Sequence, residues 1–148
     1  MSKGNTFEND ILGLIFNNTD IANIGDASGL QNSATAGSLY VALHTADPGE
    51  AGTAATSEAT YTNYNRVAVA RSGAGWTVSG NTATNTSQIT FPQCGASGNT
   101  ITYVSITVGG TPAVADKILY SGALSSSLAV ALNITPLFAA SGLTVTED

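Results

Sequence analysis

In 148 residues the chain has one cysteine, one histidine and four cationic side chains, and each shortage excludes something. With Cys94 alone, an intrachain disulfide is impossible and a zinc site built on several thiolates is ruled out. Cys94 reads instead as a small buried apolar residue or a tolerated loop thiol. With His44 alone there is no HxH or HExxH spacing, so a zinc or iron centre would need two or three further ligands to converge from elsewhere. Lys3, Arg66, Arg71 and Lys117 stand against ten acids, for a net charge of −6. Nucleic-acid binding rests on neutralising phosphates with clustered Lys and Arg, so direct contact with DNA or RNA is not expected. Long hydrophobic runs are also missing. ILGLIF at 11–16 is too short to cross a bilayer, follows Glu8 and Asp10, and has no small-residue cleavage site, so neither a membrane span nor a signal peptide is expected.

Charge of either sign is scarce, at 9% of residues against roughly 25% in ordinary soluble domains. In its place stand 15 Ser, 20 Thr and 16 Gly. Such a surface stays wettable without ions but repels its neighbours weakly, which leads us to expect that other subunits cover much of it. Hydrophobic residues make up 43%, enough for one packed core in a chain of single-domain size.

The pattern along the chain changes from helical to alternating. Residues 5–16, NTFENDILGLIF, predict a helix with Asn5 as N-cap and Glu8 closing a capping box. Phe7, Ile11, Leu14 and Ile15 fall on one face, with Leu12 and Phe16 beside them. Residues 17–37 are rich in Asn, Gly, Ser and Ala and predict a connecting arm. Alternation then sets in. Leu39, Val41 and Leu43 oppose Tyr40, Ala42 and His44 in a half-buried strand. Further strands are expected at 65–72, 75–80, 88–92, 101–108, 117–124, 127–134 and 143–146, with residues 47–63 between the first two as a long exposed loop. Seven to eight short antiparallel strands, separated by Gly, Asn and Ser turns and preceded by one amphipathic helix, indicate a mostly-β, single-domain β-sandwich or jelly-roll-like fold. The expected organisation is helix and arm over 1–37 and the β domain over 38–148.

Possible chemistry centres on His44, because Asp47, Glu50 and Glu58 follow it. The alternation puts His44 on the more polar face of its strand, and Asp47 has a local use. In DPGE, Pro48 and Gly49 suit the two central positions of a type II turn, with positive φ at Gly49, and Asp47 can bond the turn backbone. A Cys94–His44 nucleophile pair is formally possible, but nothing near Cys94 in sequence lowers its pKa, and CGASG is not a nucleophile elbow. The turns SGAGW and VGGT lack the lysine and helix of a phosphate loop. No catalytic, cofactor-binding or metal-ligating residue is expected. Tyr40, Tyr61, Tyr64 and Trp76 could offer stacking faces to a host-surface carbohydrate, although packing is their commoner use.

Read as a whole, the chain resembles a family of small tailed-bacteriophage virion proteins often labelled tail fibre proteins. The resemblance is carried by LYVALHTADPGEAG at 39–52, YNRVAVARS at 64–72, GWTVSGNTATNTSQITFP at 75–92, ITYVSI at 101–106, ILYSGAL at 118–124 and FAASGLTVT at 138–146. It implies a non-enzymatic structural protein, made in the bacterial cytoplasm and placed on the outer surface of the virion. We expect a capsid decoration or cement protein that bridges subunits of the major capsid protein, itself a dimer or trimer. A tail or fibre-proximal adaptor is the alternative; a fibre shaft is not, since internal repeats and heptads are missing. Phe7, Ile11, Leu14 and Ile15 on the helix, and Asp47, Pro48, Gly49, Glu50 and Glu58 in the loop, are the candidate contact residues.

Overall fold

The computed structural model describes residues 2–148. It is mostly β, with one N-terminal helix and antiparallel sheets, as the alternation predicts. The elements run α1 (Asn5–Asn17), β1 (Ser38–His44), β2 (Val67–Ala70), β3 (Trp76–Ser79), β4 (Thr82–Asn85), β5 (Ile89–Thr90), β6 (Asn99–Thr107), β7 (Ile118–Val130), β8 (Leu137–Phe138) and β9 (Thr144–Thr146). The strands form sheets of order β2-β1-β6-β7, β3-β4-β9 and β5-β8. Backbone contacts divide the chain into two compact units, one of Met1–Ser38, Val69–Gln88 and Phe138–Asp148, the other of Leu39–Ala68 and Ile89–Leu137.

In the first unit, α1 starts where expected but is capped differently. Gly4 occupies the N-cap without a side-chain bond, the Glu8 amide donates to the Gly4 carbonyl at 3.1 Å, and the Glu8 side chain is buried rather than turned back into a capping box. At the other end Asn18 takes a left-handed φ of 56°, and the Thr19 amide reaches back to the Gly13 carbonyl, which stops the helix at the polar NNTD segment. The buried stripe is Glu8, Leu12 and Phe16, spaced by four residues. Phe16 sets it by meeting the fully buried Trp76 edge to face, with ring centroids 4.8 Å apart. The face of Phe7, Ile11, Leu14 and Ile15 is consequently rotated away, leaving Phe7 exposed and the other three half-buried. Burying Leu12 and Phe16 contributes up to about 1.5–3 kcal/mol each, which is what holds so short a helix in place.

The sheet beneath α1 has one dry face and one hydroxylated face. Trp76, Ala83, Asn85 and Val145 are buried, while Thr77, Ser79, Thr144 and Thr146 are exposed. Strand β4 was not expected, because TATN carries no large apolar residue. Its inward Asn85 replaces apolar packing with bonds, donating to the Ser87 and Ala139 carbonyls at 2.8 and 2.7 Å and accepting from the Leu143 amide at 2.8 Å. The arm at 18–37 is also tied down. Ile21, buried, exchanges both backbone bonds with Leu30. Gly29 lies against that bridge with φ +64°, where a Cβ would sit 1.9 Å from the Ile21 carbonyl oxygen. The Arg71 guanidinium donates to the Leu14 and Ile15 carbonyls at 2.6 and 2.7 Å and to Ser33 Oγ at 3.1 Å. A cation on the last-turn carbonyls satisfies acceptors that the helix leaves open and complements its dipole.

In the second unit, β1 lies between β2 and β6, and it is not half-buried as the alternation suggests. Val41, Ala42, Leu43 and His44 are all buried, because the segment after β1 folds back over the face that was expected to meet solvent. The Thr45 amide donates to the Ser57 carbonyl and the Ala59 amide to the Leu43 carbonyl, and Ala54, Glu58, Ala59 and Tyr61 are buried. Residues 47–63 are therefore a packed cover rather than an exposed loop. The two strands expected at 117–124 and 127–134 are one strand, β7, across which the Ser125–Ser127 triplet is a bulge and not a turn. Tyr103 pairs with Ala123 and Ile101 with Leu128, so Leu124–Ser127 stand opposite Thr102 alone. Val108, Leu132 and Ile134, expected inside strands, lie beyond the strand ends and are exposed.

Candidate functional site

The densest polar cluster among the described residues is built around Arg66. It sits just before β2 and is 4% exposed. Its Nε and Nη2 grip the two oxygens of Glu58 at 2.6 and 3.0 Å. Its Nη1 donates to Asp116 Oδ2 at 2.7 Å and to the Gly109 carbonyl at 2.9 Å, and Nη2 also donates to the Val114 carbonyl at 2.8 Å. All five N–H donors of the guanidinium are thus used. Glu58 in turn accepts from the Tyr64 hydroxyl at 3.0 Å and from the Ala113 amide at 2.8 Å. The arrangement is a clamp that fixes the cover at 45–63 and the loop at 109–117 to one side chain. Burial works against the Arg66 charge, but the bonds and charge of Glu58, with Asp116, outweigh it and hold the guanidinium above its ordinary pKa. The Tyr64 hydroxyl is pushed up by burial, with the neighbouring carboxylate adding to the effect.

His44 lies beside this clamp, at the end of β1, and is fully buried. Its Nδ1 meets the Thr56 carbonyl at 2.9 Å, which can only accept, so Nδ1 carries the proton. Its Nε2 lies 2.8 Å from Ser105 Oγ and accepts from it. Register explains the pair. Ser105 stands opposite Ala42, and His44 is the next residue of β1 on that face, so the small alanine leaves the imidazole room to reach across. Burial lowers the His44 pKa below 6.5, against the opposing pull of the Thr56 carbonyl and Glu58, and so favours the neutral ring. A Ser–His pair of this length has the atoms of a nucleophile and its base, but Ser105 is 1% and His44 0% exposed. Geometry here serves packing: every polar atom of the imidazole is bonded and no substrate atom can approach.

The other candidate residues are dispersed. Cys94 is buried away from His44 chemistry, with Sγ directed at the Ser97 carbonyl at 3.4 Å. Glu58 belongs to the clamp, and Pro48 is buried. Asp47, Gly49 and Glu50 are exposed; Gly49 takes the expected positive φ of +69° and its amide bonds Asp47 Oδ1 at 2.8 Å, but the hydrogen-bonded turn, closed by the Gly52 amide on the Gly49 carbonyl at 3.1 Å, is centred on Glu50 and Ala51 rather than on Pro48 and Gly49. Trp76 and Tyr61 are buried and Tyr40 and Tyr64 half-buried, so these rings do not present a row of open stacking faces. Among the described residues, no group of three or more His, Cys, Asp or Glu side chains is placed to hold a metal ion. Arg66 and Arg71 were not singled out by sequence. The one available signal was scarcity: with only four cations in the chain, an arginine flanking an apolar strand has few surface duties.

The family comparison supplies what the clamp alone does not. A family model described as podophage GP4 fiber I protein gp80 matches residues 2–146. The chain belongs to this family. Membership makes it a phage virion structural protein of a fibre-related group, the class that the sequence resemblance implies. No curated protein matches the chain. The clamp and the His44–Ser105 pair tie the segment after β1 to the loop at 109–117 and to β6.

Proposed function

We propose that the chain is a non-enzymatic module of a podophage tail fibre assembly, set on the outer surface of the virion and joined to tail proteins and to copies of itself. The observation that carries this reading is the match of the fibre family over residues 2–146. The low charge and hydroxyl-rich surface suit a protein covered by neighbours, and the rigid cover over β1 suits one that bears load without moving. Exposed Phe7 on α1 and the Asp47–Gly49–Glu50 turn are the contact residues this reading favours. Capsid decoration, the first expectation from sequence, draws on the same surface composition but has no family match of its own, and the fibre reading takes precedence. Gold-labelled antibody against the chain, applied to intact virions in the electron microscope, tests the proposal: label at the tail supports it, and label spread over the head overturns it in favour of decoration.

A further inference from the structure

We propose that residues 46–57, the outer part of the cover, are a flap that mild acid releases by putting a proton on His44, with the Glu58–Arg66 clamp as its fixed hinge. The inference deepens the fibre reading, on which it rests only for what the flap touches, since this stretch carries Asp47, Gly49 and Glu50. Four bonds tie the closed flap to the end of β1 and to the loop at 109–117. The Thr45 amide and hydroxyl donate to the Ser57 carbonyl at 2.8 and 3.1 Å. His44 Nδ1 donates to the Thr56 carbonyl at 2.9 Å, and the Ala54 amide to the Asp116 carbonyl at 2.9 Å. Apolar burial adds little, because Pro48 and Ala54 are the buried residues of the stretch. Ser57 also sits at a left-handed φ of 51°, which costs a residue other than glycine about 1–2 kcal/mol and is relieved on release. Segments with so few buried apolar contacts are the ones that open locally. From Glu58 onward the hold is of another kind: Glu58, Ala59 and Tyr61 are buried and Arg66 grips Glu58 with two nitrogens. Motion therefore stops at Glu58.

The proton acts on the bond network of the imidazole. With Nδ1 already donating to Thr56, the incoming proton lands on Nε2, which now accepts from Ser105 Oγ at 2.8 Å. Once Nε2 donates, the Ser105 hydroxyl hydrogen must turn away, and no second acceptor for it is found among the described residues. The charge that results is fully buried and gains water only if the layer above it moves. Two elements flank the ring. Below it is the β1–β6 ladder, five residue pairs long from Tyr40 to His44; above it is the flap, with its four bonds. The flap is the cheaper one to move. Tyr103 of β6 stands opposite His44, the Tyr64 hydroxyl donates to Glu58, and Asp116 reaches the site through Arg66. Glu58 and Arg66 are the charges that bear on the ring, and they pull in opposite senses.

Amide hydrogen exchange of the purified full chain, corrected for the intrinsic pH dependence of exchange, tests the proposal. At the Thr45 and Ala54 amides the opening constant is expected to rise about tenfold from pH 7.5 to pH 5.5, as the uptake of one proton below about pH 6.5 requires. The Ala59 and Ala113 amides, bonded to the Leu43 carbonyl and to Glu58, and the β1–β6 ladder are expected to keep their protection. His44→Gln retains a donor for Thr56 and an acceptor for Ser105 but takes up no proton, and its flap is expected to open equally at both pH values. His44 is the only histidine, so its ring signals in the wild type are unambiguous by nuclear magnetic resonance. Half-protonation below pH 6.5 is expected there, a readout that stands even if the variant fails to fold. A flat profile at Thr45 and Ala54, a rise shared by the ladder, a rise that survives in His44→Gln, or a ring half-protonated above pH 6.5 overturns the proposal. Because exchange is read in the isolated chain, head-located label on the virion would sink the fibre reading and leave this result standing.

Discussion

Replacing Arg66 by methionine keeps most of the stem volume and removes the fork. Five hydrogen bonds go at once, and the Glu58 carboxylate, 8% exposed, keeps only Tyr64 and Ala113 as partners. Breaking one side of a buried ion pair costs about 3–5 kcal/mol, because the remaining charge is stranded. Against the roughly 5–15 kcal/mol that holds a domain folded, this is a large share, and it corresponds to a fall in melting temperature of about 6–20 °C for a chain of this length. Arg66→Lys is expected to recover little: the charge stays, but one ammonium cannot reach two carboxylates and two carbonyls in a planar fork. Glu58→Met combined with Arg66→Met removes both charges, and its cost is expected to be smaller than the sum of the single changes by about 1–3 kcal/mol. Urea unfolding followed by circular dichroism measures the wild type, the three single variants (Glu58→Met included) and the double variant. Hydrogen exchange adds the location, with loss of protection expected at the Ala113 amide bonded to Glu58 and the Ala54 amide bonded to the Asp116 carbonyl. A single-variant cost below about 1 kcal/mol, or strict additivity in the cycle, would refute the view that this clamp organises the loops.

Three further outcomes follow from other residues. Arg71→Met strips the Leu14 and Ile15 carbonyls of their partner and is expected to cost about 1–3 kcal/mol, with faster amide exchange in α1 and the arm at 33–36. Gly29→Ala puts a methyl group 1.9 Å from the Ile21 carbonyl oxygen at positive φ; it is expected to open the Ile21–Leu30 bridge and lower the urea midpoint, whereas Gly49→Ala, with open space around it, costs only about 1 kcal/mol. Stability is expected to fall at both ends of the pH scale. His44 is held below 6.5 by burial, so the unfolded chain binds a proton that the native one does not, and stability present above about pH 6.5 declines as pH drops through that value. Tyr61 is pushed up to about 12 by burial; the unfolded phenol ionises near 10 while the native one does not, so stability present below about pH 10 is lost between there and 12. Urea midpoints across that range check both limbs, and a flat profile below pH 6.5 would show that the imidazole is not buried neutral.

Much of the fold was legible because its signals are local. The strand at β1, the Asp47 bond to the Gly49 amide and the inward Ile89, Phe91, Leu143 and Val145 rest on neighbours within a few residues. The misses each depended on something distant. Strand β4 is held by its partners and by Asn85, so TATN carries no apolar pattern of its own. The Ser125–Ser127 triplet looks like a turn until the ladder with β6 on either side turns it into a bulge. The helix face was displaced by one position because Trp76, 60 residues downstream of Phe16, chooses which stripe is buried. The clamp was least legible of all: Glu58 and Asp116 lie 8 and 50 residues from Arg66, and no spacing rule connects residues that only the fold brings together.

The central claim, that this chain is a fibre module of a podophage tail, is tested most directly by its copy number per virion, measured by quantitative mass spectrometry against the major capsid protein. A fibre module is expected in a small number of copies, a low multiple of the tail's symmetry. A ratio to the capsid protein near one, or a simple fraction such as one third, would contradict it and return the chain to the head as a decoration protein.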